Sequence, residues 1–156
     1  KDLKQLLLQE QQELRSAIGA LRNERIALPD LAADLKALCD RLSRQWDIEC
    51  IFSAEVPNVT APTRLHLDTH QLIRETVANA VRHGRAGSVR VQLTAEEADL
   101  RLDIDNDGSG SERLKEGSPW SLRERVDEAH GTLMLASNET GSSVSITLPL
   151  NGRSHA

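Results

Sequence analysis

Apolar residues at Leu3, Leu7, Leu14, Ala17 and Leu21 fall at heptad-like intervals, interrupted at Glu10, in a segment rich in charge and glutamine. That spacing predicts a first helix from Lys1 to about Arg25. Pro29-Asp30 breaks the pattern, and Asp30 is expected to N-cap a second helix reaching Trp46. Leu31, Leu35, Leu38, Leu42 and Trp46 share one face of it. Alternation from Ile48 to Phe52 predicts a strand, followed by a proline-bearing loop over 56–62. Helical periodicity returns from about Thr69 to His83 and stops between Gly84 and Gly87. Strands are expected at about Ser88–Leu93 and Leu100–Ile104, with a turn over 95–99. A polar loop over 106–118 leads to a short helix beginning near Pro119, where proline suits the first turn. Strands at about Thr132–Ala136 and Ser143–Leu148 close the chain. The expected fold class is α+β: a two-layer sandwich, one mixed sheet with helices on one face, preceded by a long helix.

The expected organisation is a helical element over 1–28, a compact domain over 30–150 and a tail over 151–156. The first helix has two readings: an amphipathic helix packed on its own domain, or half of a hairpin that dimerises as a four-helix bundle. A net charge of −5 argues against a general nucleic-acid binder, which would show a basic face. Cys39 and Cys50 lie in apolar contexts without metal-ligand spacing, and read as buried free thiols suited to a reducing cytosol. No apolar run is long enough to span a bilayer, and no signal peptide is visible. A helical pattern already under way at Lys1 suggests a piece of a longer protein, so a membrane sensor could lie upstream. The piece itself is expected to be cytoplasmic and to make no membrane contact.

The candidate chemistry begins with Glu75, Asn79 and His83, which recur every four residues and so stack along one helical face. The amide oxygen of Asn79 can ligate a hard cation that keeps its waters and shares phosphate oxygens, as Mg²⁺ does. Glu75 could orient a metal-bound or attacking water. Equally, Asn79 could cap a neighbouring loop, and Arg82 and His83 could simply complement the helix dipole. Downstream, Asn106-Asp107-Gly108-Ser109-Gly110 forms a glycine turn after a strand.

These residues carry a family resemblance. Glu75-Thr-Val-Ala-Asn79-Ala-Val-Arg82-His83 resembles the asparagine box of the Bergerat-fold ATPases: gyrase, the large heat-shock chaperones, histidine kinases and MutL. Within them the chain is most similar to sensor histidine kinases of the NarX/DesK type. Residues 100–110 resemble the strand leading into the family's first glycine box. Leu122-Arg123-Glu124-Arg125-Val126, then Ala129-His130-Gly131-Thr132-Leu133, resembles its "MRERV…LGGTL" helix and strand. Residues 141–150 resemble its closing "GTxVxxxLPL" segment, and the first helix resembles the second helix of the dimerisation hairpin.

The resemblance implies a Bergerat fold binding ATP with Mg²⁺. Asn79 would be the Mg²⁺ ligand, with Glu75 its catalytic partner. Arg82, His83, Asn106, Asp107, Gly108, Gly110, Ser121, Leu122, Gly141 and Ser142 would line the ATP site. Three departures stand out. Asn106 occupies the position where the family has the Asp that accepts a hydrogen bond from the adenine amine. Gly117-Ser118-Pro119-Trp120-Ser121-Leu122 replaces a Gly-x-Gly-Leu phosphate cradle. The first helix holds no histidine to accept a phosphoryl group. The implied function is the catalytic region of a two-component sensor histidine kinase. It would homodimerise through the first helix in the full-length protein and pass phosphate to a response regulator. A degenerate kinase-like docking scaffold is the alternative, and an anti-sigma-type serine kinase a third reading.

Overall fold

The structure, a computed structural model, describes residues 2–109 and 120–151, with side chains throughout these except at 15–23, 120 and 121. In order, the elements are helix α1 (Leu3–Asn23), strand β1 (Arg25–Ala27), α2 (Leu28–Trp46), β2 (Glu49–Glu55) and β3 (Thr60–Pro62). Then come α3 (Arg64–Gly84), β4 (Ser88–Glu96), β5 (Asp99–Asn106), α4 (Trp120–Glu128), β6 (Thr132–Asn138) and β7 (Gly141–Pro149). Five strands form one mixed sheet in the order β2-β4-β5-β7-β6. β2 and β4 are parallel, and the other neighbours antiparallel. The fold is the expected α+β sandwich.

The core lies between the helices and one sheet face. Leu28, Leu31, Leu35, Leu38 and Leu42 on α2 follow the helical repeat and are all buried. On β5, Leu100, Leu102 and Ile104 are buried while Arg101 and Asp105 are exposed, the period-two pattern of a strand covered on one face. Each fully buried Leu contributes about 2–3 kcal/mol against an exposed one. Leu122 and Val126 bring α4 into the same core.

Four sequence expectations are corrected. Helix α1 ends at Asn23, because Arg25–Ala27 becomes β1 and pairs antiparallel with β3. The Arg25 guanidinium donates to both Thr60 Oγ1 and Thr60 O at 2.8 Å, tying that ribbon together. The loop over 56–62 therefore contains a strand. Asp30 is not the N-cap of α2: Ala27 holds that position in extended conformation, and Pro29 sits in the first turn with Asp30. Helix α3 starts at Arg64 rather than Thr69, since Leu65 and Thr69 extend its buried stripe by a turn. It ends at Gly84, inside the expected stop, with Arg85 as C-cap in the left-handed region (φ 55°), whose N–H reaches back to Ala80 O and Val81 O.

Cys39 on α2 and Cys50 on β2 are buried free thiols, as expected. Ser43 Oγ brackets Cys50, accepting from its N–H (3.0 Å) and donating to its carbonyl (3.3 Å), so α2 covers the outer edge of the sheet. Among the described residues no helix is long and apolar enough to cross a membrane.

Candidate functional site

Helix α3 carries the polar stripe. Its apolar residues Leu72, Ile73, Thr76, Val77 and Ala80 are buried against the sheet, which leaves Gln71, Glu75 and Asn79 along one margin. Glu75 and Asn79, both half-buried, line a cleft of about 490 Å³ with Trp46, Gln71, Arg74, Arg82 and Arg125 among its walls. Arg125 crosses from α4: its Nε donates to Glu75 Oε2 at 2.6 Å and its Nη1 to Gln71 Oε1 at 2.7 Å. The Arg82 guanidinium lies over the Trp46 ring, 5.6 Å from its centroid. Three guanidinium groups thus surround a carboxylate and a side-chain amide, a donor set that suits a polyphosphate with a hard cation. His83 is half-buried one turn beyond Asn79 and does not line this cleft.

The glycine turn meets the C-terminal end of α3, just past Arg82. Ser109 N–H donates to Gly84 O at 2.8 Å. A Cβ on Gly108 would lie 2.6 Å from that carbonyl, so the approach of turn to helix requires glycine there. Gly108 N–H donates to Asn106 Oδ1 at 2.8 Å. Asp107 Oδ1 accepts from the N–H groups of Gly87 (2.9 Å) and Ser88 (3.1 Å). These bonds hold its pKa below the ordinary carboxylate value, the Gly87 bond most strongly.

Asn106, half-buried on the helix-facing side of β5, pairs directly with Ser142 on β7. Both line a second cavity of about 220 Å³, with Ser137, Asn138 and Gly141 beside them. Ser142 is only 6% exposed, and its hydroxyl has no hydrogen-bond partner. A Cβ on Gly141 would run into the Asn106 carbonyl oxygen, so the two strands meet there without room for a side chain. This orphaned hydroxyl beside an amide, in a recess of that size, suits the polar edge of a flat heterocycle.

The structure therefore gathers Glu75, Asn79 and Arg82 at one cleft, and Asn106, Gly141 and Ser142 at another. The two share no lining residue. Asp107 faces a shallower recess with Ser88 and Arg90. Leu122 is buried in the core. Gly110 and the residues replacing the phosphate cradle up to Pro119 lie outside the described residues, as does the side chain of Ser121. Sequence reasoning missed Gln71, Trp46 and Arg125 as cleft residues. Gln71 was readable, being four residues ahead of Glu75 on the same stripe. Nothing linear joins Trp46 to Arg82 or Arg125 to Glu75.

Comparison with known proteins identifies the family. The family described as "Histidine kinase-, DNA gyrase B-, and HSP90-like ATPase" matches residues 65–152, more than half of the chain. The sensor histidine kinase MctS of Rhizobium johnstonii is 24% identical over 126 residues, covering 76% of this chain and 27% of that protein. The nitrate/nitrite sensor protein NarQ of Escherichia coli is 25% identical over 148 residues, 92% of this chain and 26% of that one. The chain thus spans about a quarter of the length of these relatives. The solved structure of histidine kinase ThkA in complex with response regulator protein TrrA shares the fold. It superposes with a TM-score of 0.61 at 16% identity, over 94% of this chain and 49% of that one. The chain belongs to the histidine kinase-, DNA gyrase B- and HSP90-like ATPases, as a NarX-like ATP-binding domain of the sensor histidine kinase kind.

Proposed function

We propose that this chain is the catalytic region of a two-component sensor histidine kinase, binding MgATP and directing its γ-phosphate to a histidine on a dimerisation helix outside the chain. The observation that carries this is the joint placement of Glu75 and Asn79, half-buried, in one cleft with Arg74 and Arg82 of the same helix and Arg125 from α4. When bound, ATP supplies the phosphoryl group and Mg²⁺ neutralises its charge. Asn79 would hold the cation through its amide oxygen, and Arg82 and Arg125 would meet phosphate oxygens. Asn106 and Ser142 would take the base. Glu75 is held by Arg125, a restraint suited to positioning rather than to freely activating water. Catalysis would come from orientation and charge neutralisation.

The N-terminal helix supports a homodimer reading: Leu3, Leu7 and Leu14 are exposed at 72%, 52% and 63%. Exposed leucines at that spacing suit the interface of a helical bundle. A response regulator is the proposed acceptor of the phosphoryl group downstream. The competing reading, a kinase-like docking scaffold without turnover, draws on Asn106 and on the engagement of Glu75.

Calorimetric titration of MgATP into this chain and into Asn79→Ala decides between them. Saturable binding, weakened about tenfold or more in the variant, supports the kinase. No heat of binding up to millimolar MgATP in a folded sample would sink it for this chain.

A further inference from the structure

We propose that Trp46 positions the Arg82 guanidinium for the phosphate groups of the nucleotide, and so sets affinity through a residue it touches rather than through the ligand. The inference rests on the nucleotide-binding reading above and adds to it a residue of α2, a helix to which that reading gives no part. Trp46 closes the α2 stripe of Leu31, Leu35, Leu38 and Leu42. Those four leucines are buried, whereas Trp46 is only half-buried. The core therefore leaves part of the ring uncovered, and the Arg82 guanidinium carbon lies over it, 5.6 Å from the centroid.

Both partners stand on closed helix ends. Asp47 caps α2 in the left-handed region (φ 54°), and its N–H and that of Ile48 both return to Ser43 O. Arg82 lies in the last turn of α3, where the N–H groups of Arg85 and Ala86 return to Val81 O and Ala80 O. These caps fix the two backbones, so the ring and the guanidinium meet from defined positions. On α3, Arg82 stands three residues beyond Asn79, the proposed cation ligand, and both line the same cleft.

Arg125 lines that cleft too, but it is anchored in a different way. Its Nε donates to Glu75 Oε2, so a carboxylate offsets its charge, and meeting a phosphate means giving up that bond. A ring face attracts a guanidinium without cancelling its charge. None of the ion pairs among the described residues involves Arg82. Arg82 is thus placed in advance with its charge intact, and a side chain already held loses less rotamer freedom when a phosphate binds it.

The test is calorimetric titration of MgATP into the wild-type chain, Trp46→Leu, Trp46→Phe, Arg82→Ala and the Trp46→Leu/Arg82→Ala double variant, with circular dichroism as the check on folding. Trp46→Leu is expected to weaken binding about threefold to fivefold, and Trp46→Phe, which keeps a ring face, to recover most of that loss. Without Arg82, Trp46→Leu is expected to change nothing further, since the group it acts through is gone. A loss that persists in full in the Arg82→Ala background overturns the inference, because Trp46 would then serve packing alone. Unchanged affinity in folded Trp46→Leu overturns it as well, as does a Trp46→Phe variant no tighter than Trp46→Leu. If MgATP does not bind the folded wild type, the nucleotide reading has failed and takes this inference with it, a result distinct from binding with an additive cycle. Should Trp46→Leu not fold, Trp46→Met, unbranched and adaptable, takes its place in the same cycle.

Discussion

Along the α3 cleft, side chains satisfy one another across helices; where β5 meets β7, the backbone does the holding and side-chain atoms are left over. Glu75, Gln71 and Arg125 form one hydrogen-bonded group linking α3 to α4, and Arg82 rests on Trp46 of α2. At the strand end, glycines at 108 and 141 let main chains touch, while the Ser142 hydroxyl has no partner. The first region is adaptable: long side chains can release one another when a phosphate competes for them. The second is fixed, so its donors and acceptors are set before a ligand arrives. In the proposed reading, contacts to phosphate would thus be open to adjustment, and contacts at the strand end would not.

Further substitutions probe this contrast. The largest expected effect is at the fixed end. Gly141→Ala places a methyl group against the Asn106 carbonyl, with main chain on both sides and no side chain to swing away. A loss of about 3 kcal/mol in urea unfolding is expected. A loss under about 1 kcal/mol would show that the strand end yields, and the contrast with the cleft would dissolve.

Arg125→Ala should cost less. The Glu75 side chain is 20% exposed and Arg125 44%, so solvent screens the pair, and about 1 kcal/mol is expected after that discount. A double-mutant cycle with Glu75→Gln should return most of that value as coupling. Zero coupling would mean that the two helices are joined by packing alone.

The smallest effects compare two orphaned hydroxyls. Thr76 Oγ1 and Ser142 Oγ are both buried without partners. Thr76 lies on the core face of α3, where Thr76→Val removes an unpaired hydroxyl and should stabilise by roughly 0.5–1 kcal/mol. Ser142 lines a cavity, so Ser142→Ala should leave stability within about 0.5 kcal/mol while weakening nucleotide binding. Unchanged affinity in the Ser142 variant would make its hydroxyl as structural as that of Thr76.

The periodic elements were legible because burial on one face writes a repeat into the sequence. The leucines of α2 and the alternation in β5 read directly as what they form. The short ribbon of β1 and β3 was not legible: three residues carry no period, and their pairing depends on a partner far along the chain. The start of α2 misled for a related reason. Asp30 has the chemistry of a cap, but the buried Leu28 draws the helix back by three residues. For the site, the stripe of Glu75 and Asn79 followed from spacing alone; resemblance named Asn106 and Ser142 as candidates, but their pairing across the sheet is seen only in the structure. The engagement of Glu75 by Arg125 and of Asn106 by Gly108 is tertiary or turn geometry, and residue types alone do not disclose it.

The register that sets Asn106 opposite Ser142 also has a kinetic side. β4 and β5 form a local hairpin, as do β6 and β7, and each can close early and quickly. Joining β5 to β7 must instead close over the stretch of chain from 107 to 140, which is entropically slower. The recess between β5 and β7 exists only once that junction has formed, and β7 is the last of these five strands in chain order. Acquisition of nucleotide affinity would therefore report the completed topology of the sheet, and a refolding chain would regain helical signal before it regains its ligand.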